Sequence, residues 1–246
     1  MSRNDFAAPR LYVDTDLGAG ARVACNASQS NYLRNVLRLR SGDAILAFNG
    51  RHGEWRTEID TSSKRDALLV VGTQTRPQEG GPDIDYLFAP LKRARLDYMV
   101  EKATEMGVAS LRPVITRRTV VERVNVERMR ANVVEAAEQC GILRLPDVRA
   151  PETLERLLPQ WDPSRALIFC DEEADTSDPV AAVAGLRSRP LALLIGPEGG
   201  FEQGERALLA SQPFVTRISL GPRILRADTA AVAALALVNA AAGDWR

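Results

Sequence analysis

The sequence is poor in several residue types on which common chemistries depend. It has a single histidine, His52, among 246 residues. Hydrolytic triads with a His base and His-rich metal sites would all have to be assembled around that one side chain. His52 sits in the turn-like stretch NGRHGE, which does not invite such a role. Three cysteines, Cys25, Cys140 and Cys170, lie far apart. An odd number without a CxxC pair speaks against both a disulfide framework and a zinc site. Each cysteine reads as a small buried hydrophobe before it reads as a reactive thiol, and no metal is expected. No apolar run approaches the roughly 20 residues that cross a bilayer. The opening, MSRNDFAAPRLYV, has no apolar block behind a basic tip, so no signal peptide is read there and a cytoplasmic location is expected.

Lysine is scarce as well: of 32 basic residues only Lys64, Lys92 and Lys102 are Lys, and the rest are Arg. The planar guanidinium fork suits phosphates and base edges. A codon bias toward Arg explains the excess equally well. Net charge is zero, so bulk charge announces no nucleic-acid partner. Its distribution says a little more. Residues 151–246 carry 9 basic against 13 acidic residues, whereas basic residues are in slight excess before them. With 45% hydrophobic residues the chain has ample material for a core, as one large domain or two small ones.

Hydrophobic periodicity divides the chain. Up to residue 72, RLYVD, AILAFNG, EWRTEID and ALLVVGTQ read as short strands. Between them SQSNYLRNVLRL reads as one helix, capped by Ser28 or Ser30 and ended by Gly42-Asp43. Several strands and one helix suggest a small barrel over residues 1–75. RPQEGGPD, residues 76–83, reads as a linker. Beyond it strands and helices alternate over residues 83–246. IDYLFAPL, SLRPVIT, RALIFCDE, PLALLIGPEGG and VTRISLG are strands. RLDYMVEKATEMGV, NVERMRANVVEAAEQCG, DPVAAVAGLRS, FEQGERALLASQ and TAAVAALALVNAAA are helices, the first closed by Gly107 and the second by Gly141. This rhythm implies a mostly parallel sheet covered on both faces.

Two loops stand out. IGPEGGF (195–201) lies at the carboxyl end of an apolar strand, where open α/β sheets bind ligands. Its glycines permit close backbone approach, and its exposed amides suit an adenine edge or a carboxylate. It is neither a P-loop nor a dinucleotide fingerprint, and an ordinary βα turn is the plain alternative. SLGPRILRADTAAVAAL (219–235) runs from a strand end through a rigid Pro222 loop into an Ala-rich helix, which Asp228 is placed to cap. Taken alone, this segment too reads equally well as purely structural.

Together the two loops resemble a family. GPEGGF, followed some way on by LGPRILRADTA, resembles the RsmE family of the SPOUT superfamily of knotted methyltransferases. RLYV (10–13), YLRNVLRLRSGD (32–43), APLK (89–92), EKATEMGV (101–108) and EAAEQCG (135–141) match in order, so the resemblance spans nearly the whole chain. There are departures. Asp228 stands where the family usually has Glu, and Ile142 stands where an Arg often follows EQxG, with Arg144 two residues later.

The resemblance implies an N-terminal PUA-like β-barrel for RNA contact and a C-terminal α/β domain with a trefoil knot. It also implies a homodimer, S-adenosylmethionine as methyl donor, and N3 of a uridine in 16S ribosomal RNA, or the small ribosomal subunit, as target. The cofactor residues carried over are Gly196, Glu198, Gly199 and Gly200 from one loop, with Leu220, Ile224, Leu225, Thr229 and Ala230 from the other. The stretch after IFCDE, with Asp171 and Glu172, matches a further cofactor loop only loosely. Arg226 is the candidate for stabilising charge on the uracil. Glu198 and Glu138 are weaker candidates for proton acceptor. The structural alternatives are that Arg226 holds its loop, Glu198 caps the next helix and Glu138 faces solvent. For RNA contact Arg10, Arg34, Arg38, Arg40, Lys92 and Arg117 are expected, with positions 34 and 38 on one helical face; a solvated charged surface is the alternative. The rival functions are a SPOUT methyltransferase of a tRNA base or a ribose, and a non-catalytic RNA-binding assembly factor.

Overall fold

A computed structural model describes residues 8–63, 66–121, 123–176 and 178–245. The chain forms two compact units. One comprises Met1–Gly80 together with Ala137–Leu145, the other Gly81–Ala136 with Pro146–Arg246.

The first unit holds β1 (Arg10–Tyr12), β2 (Arg22–Ala24), α1 (Ala27–Asn31), β3 (Ala44–Phe48), β4 (Glu54–Asp60) and β5 (Leu68–Arg76). Its sheet runs β1-β3-β4-β5-β2. The β1–β3 pair is parallel and the other pairs are antiparallel. Alternation sets the inward face: Thr57 and Ile59 are buried while Arg56 and Glu58 point to solvent. Leu11, Val23, Leu33, Ile45, Ile59 and Leu69 fill the interior. A second cluster joins Phe48 to Ala137 and Leu143, with Ile142 packed half-buried against it. A segment 137–145 that periodicity alone assigns to the later, alternating region therefore completes the core of the first. β2 is not among the strands that the sequence pattern predicts.

The expected helix over SQSNYLRNVLRL is shorter and differently built. Asn26, not Ser28 or Ser30, caps it: its side chain accepts the Gln29 N–H while the Gln29 side chain accepts the Asn26 N–H. Ser30 is buried instead, its Oγ accepting the Ala67 N–H at 3.0 Å. After Asn31 the helix widens into a π-helical turn over Tyr32–Val36 and stops, and Arg38 adopts a left-handed backbone at φ 56°. Arg34 and Arg38 consequently do not share a helical face, which corrects the expectation from their spacing.

The second unit comprises β6 (Ile84–Phe88), α2 (Arg93–Glu105), β7 (Ser110–Ile115), most of α3 (Val126–Cys140), β8 (Asp147–Val148), β9 (Glu152–Thr153), α4 (Leu154–Leu157), β10 (Ala166–Cys170), α5 (Pro179–Ala184), β11 (Leu191–Ile195), α6 (Gln203–Ala210), β12 (Val215–Ile218) and α7 (Ala227–Ala241). The strands form a parallel sheet in the order β12-β10-β11-β6-β7-β8. Chain order is therefore broken at β10–β12, because the chain places β11 on one side of β10 and then returns to add β12 on the other. Gly107 and Gly141, both with positive φ, close α2 and α3 as the sequence suggests.

Leu167, Phe169, Ala192 and Leu194 pack against Leu154, Trp161, Phe201, Leu209 and Phe214. Each large side chain so buried contributes roughly 2 kcal/mol. α7 packs against α2, α5 and β11, and its buried positions Ala230, Ala231 and Ala234 allow close approach. The strands and short helix between 147 and 160 were not anticipated; two-residue strands carry no periodic signal. Among the described residues no helix is long and apolar enough to cross a membrane.

Candidate methyl-donor site at the carboxyl edge of the parallel sheet

The parallel register brings several strand ends to one line. Phe169 of β10 pairs with Leu194 of β11 and with Arg217 of β12, and Ile195 pairs with Phe88 of β6. The segments that follow these strands, starting at Asp171, Gly196, Ser219 and Ala89, thus leave the same carboxyl edge. Backbone bonds extend the alignment: the Asp171 N–H donates to Ile218 O at 2.9 Å, and the Ala89 N–H to Ile195 O at 3.0 Å.

The 196–202 loop is shaped by packing. Phe201 is buried and meets Phe169 edge-on at 4.9 Å. Gly196 makes room for that ring, since a Cβ there would stand 2.4 Å from Phe201 Cε2. Gly200 has φ +69° and donates its N–H to Pro197 O. A Cβ at Gly200 would lie 3.1 Å from Glu172 Oε1, so the segment after β10 touches this loop directly. Arg118 donates to Gly199 O at 2.9 Å, and Arg95 pairs with Glu198. Glu202 caps α6 in a reciprocal arrangement with Glu205. Glu198 therefore pairs sideways rather than capping the helix.

The 219–226 loop is built differently. Gly221 has φ +98°, Pro222 and Arg223 are exposed, and Ile224 is 95% exposed. Among the described residues no backbone–backbone hydrogen bond ties 219–225 to another segment. An apolar side chain beside backbone amides and carbonyls that form no backbone bond to another segment is a donor set that fits an adenine, with a flat apolar face and a polar edge. Helix α7 begins at Ala227 with Arg226 at its N-cap. Asp228 does not cap it as expected, because it already lies in the first turn, where its carboxylate accepts the Thr229 N–H at 2.9 Å. Ala230 is buried and Thr229 exposed.

With this geometry in view, comparison with known proteins is decisive. Residues 79–239 match the model of an RNA methyltransferase domain, and residues 26–72 that of an RNA methyltransferase PUA domain. Ribosomal RNA small subunit methyltransferase E of Synechocystis is 32% identical over 94% of this chain and 77% of its own. The Rickettsia conorii protein of that name is 29% identical over 94% of both chains. The chain belongs to the RsmE family.

Solved structures agree. Ribosomal RNA small subunit methyltransferase E of Neisseria gonorrhoeae, bound to S-adenosyl methionine, superposes with a TM-score of 0.83 at 25% identity, covering 97% of this chain and 100% of that one. A Legionella pneumophila protein solved with bound SAM superposes at 0.84 with 28% identity, over 96% and 99%. The fold is thus the SPOUT, trefoil-type α/β domain of the RsmE family with a PUA domain before it.

The residues expected from the family's motifs are distributed unevenly. Gly196, Glu198, Gly199, Gly200, Leu220, Ile224, Leu225, Thr229, Ala230 and Arg226 all belong to loops or a helix start at the carboxyl edge. Lys92, at the N-cap of α2, and Arg117, which follows β7, are exposed in the same unit. Arg117 pairs with Glu155 at 3.0 Å, and its N–H donates to the buried Glu205. Glu138 belongs to the first unit, where its carboxylate accepts the Tyr12 N–H at 2.8 Å. That bond gives it an architectural task in place of solvent exposure.

Two RNA-contact expectations are corrected. Arg10 is buried, its Nε donating to Glu54 at 3.0 Å, and Arg76 holds the same carboxylate at 2.7 Å. Burial works to raise the Glu54 pKa, but hydrogen bonds from Arg76, Thr75 and Arg10 outweigh it and hold the carboxyl below its usual range. Arg34 is half-buried and donates to the carbonyls of Thr61 and Ser63, pinning a turn. Arg38 and Arg40 remain exposed.

The other titratable groups offer little chemistry. His52 Nδ1 accepts the Leu17 N–H at 3.1 Å, a structural use. Burial pushes the Cys25 and Cys170 thiols up to about 11 and about 12, out of nucleophile range. Cys140, expected to be buried, is exposed near the end of α3. Sequence reasoning gave Asp171 only a loose match to a cofactor loop and left Arg206 and Arg217 without a role. A lone acid and two arginines far apart in sequence give no signal until the sheet aligns them.

Proposed function

We propose that this protein transfers a methyl group from S-adenosylmethionine to N3 of a uridine in 16S ribosomal RNA, working as a cytoplasmic homodimer on RNA or on the small subunit. The observation that carries this reading is the alignment of the segments at 171, 196 and 219 on one sheet edge, in a chain of the RsmE family. When bound, S-adenosylmethionine supplies an electrophilic methyl on a good leaving group. The protein's share is then placement and management of one proton.

Ile224 and Leu225 of the 219–225 loop would hold the donor's adenine, and backbone groups of that loop would satisfy the polar edge. Gly196, Gly199 and Gly200 would hold the donor from the 196–202 loop, and Thr229 and Ala230 from the start of α7. The uracil N3–H is weakly acidic, so its loss is the demanding step. Arg226, exposed and without an ion pair among the described residues, stabilises the negative charge that develops on the uracil carbonyls. Glu198, which pairs with Arg95, is the candidate proton acceptor on the 196–202 loop. Glu138 supports the first unit through Tyr12. Lys92, Arg117, Arg38 and Arg40 supply phosphate contacts, which makes RNA affinity fall steeply with salt.

Two measurements test the reading. Isothermal titration with S-adenosylmethionine should show saturable binding, whereas no heat would support a non-catalytic RNA-binding factor. Mass spectrometry of ribosomal RNA from a deletion strain should show loss of one N3-methyluridine. Loss of a ribose methyl with N3-methyluridine intact would overturn the assignment.

A further inference from the structure

The segment after β10 carries a charge cluster that the proposed chemistry does not use. The Asp171 side chain is 0% exposed. Its Oδ1 accepts from Arg206 Nη1 at 2.6 Å and from the Glu173 N–H at 3.1 Å. Its Oδ2 accepts from Arg217 Nε at 2.8 Å and Nη2 at 2.6 Å. Every acceptor site of this carboxylate is thereby occupied by protein, so it is not held for a ligand. Arg206, itself only 12% exposed, also reaches Glu172 at 2.6 Å and Glu173 at 2.9 Å.

The origins of these residues matter more than their number. Asp171, Glu172 and Glu173 lie on the segment after β10. Arg206 sits on α6, immediately behind the 196–202 loop, and Arg217 on β12, immediately before the 219–226 loop. One buried carboxylate thus binds one cation from the base of each of the two loops. Glu172 adds a further link, since it touches both Arg206 and the face of Gly200.

A buried ion cluster is a poor way to gain stability, because well-packed apolar side chains of similar volume often do as well or better. What it provides is directional geometry: guanidinium forks on a planar carboxylate fix angles and distances that apolar contacts leave free. We propose that Asp171, with Arg206 and Arg217, is a positioning residue that sets the separation of the two loops and hence the affinity for the methyl donor. Glu172 trims that setting from the exposed side. This inference rests on the function proposed above.

The test compares the wild-type protein with D171N, R206K and E172Q. The readouts are S-adenosylmethionine binding by calorimetry, KM and kcat for each substrate, RNA affinity and melting temperature. D171N and R206K should raise the Kd and KM for S-adenosylmethionine by roughly ten- to a hundredfold, the scale expected for a misplaced wall. RNA affinity should stay at the wild-type value, and kcat at saturating donor should change by less than about threefold. E172Q, whose side chain is 55% exposed and which therefore folds, should raise the donor KM by a few-fold with an unchanged melting temperature. If D171N is too unstable to assay, R206K and E172Q decide the matter. Folded R206K and E172Q with wild-type donor KM, or a loss confined to kcat, would overturn the proposal. Failure of the wild type itself to bind S-adenosylmethionine would instead remove the function on which it rests.

Discussion

The two glycine-bearing loops of the second unit leave the same sheet edge and are built on opposite principles. The 196–202 loop is held from several sides: Phe201 is sunk into the core, Arg118 takes the Gly199 carbonyl, Arg95 takes Glu198, and Glu202 and Glu205 close the helix behind it. The 219–226 loop presents a nearly fully exposed Ile224, and among the described residues its 219–225 stretch carries no backbone bond to another segment. A rigid wall can impose geometry before a ligand arrives, at no ordering cost on binding. A loosely held wall can adapt to the ligand and must pay that cost when it closes. The contrast predicts that substitutions in the first loop act mainly on stability, and those in the second mainly on binding and turnover.

Phe201→Ala should break the comparison most severely. It removes the ring that fixes the first loop and opens a cavity beside Phe169, at about 3–5 kcal/mol of unfolding free energy in chemical denaturation. Arg226→Ala, on the second loop, should leave the melting temperature within error. It should lower kcat by about a hundredfold in a single-turnover methylation assay, the scale for losing one donor to a developing oxyanion. Equal thermal losses in the two variants would mean that the loops are not built differently after all.

Ile224→Ser sharpens the contrast at smaller scale. Stability should move by less than about 0.5 kcal/mol, because the side chain buries almost nothing in the free protein. The Kd for S-adenosylmethionine should rise by roughly tenfold, the cost of one lost apolar contact on an adenine. Arg95→Ala should have the least effect, below about 1 kcal/mol, since both partners of its pair with Glu198 are well exposed. A larger loss would show that Glu198 is not merely pinned from outside.

The sequence made the second unit far more legible than the first. βα repetition is written in apolar strand runs such as LALLI alternating with amphipathic helical stretches such as FEQGERALLASQ, and the glycines that close α2 and α3 are visible as punctuation. The motifs around 196 and 224 were legible because they are contiguous. What depended on distant partners was not. Arg10 looked like a surface cation until Glu54 and Arg76, from other strands, enclosed it. Arg34 and Arg38 looked like helical neighbours because nothing in their spacing announces a π-helical turn ending in a left-handed residue. The Asp171 cluster is illegible for the same reason. Its members come from β12, α6 and the end of β10, and only the register of the sheet unites them.

The borrowed segment 137–145 has a practical consequence for anyone who cuts this gene. A fragment ending at residue 80 would carry Phe48 without Ala137 and Leu143, and Tyr12 without the carboxylate that receives its amide. Such a piece would expose a greasy patch and a stranded donor, and it should precipitate or need a solubilising fusion. Grafting the amino-terminal module onto another catalytic partner would therefore succeed only if the nine residues Ala137–Leu145, which include the closing turn of α3, travel with it.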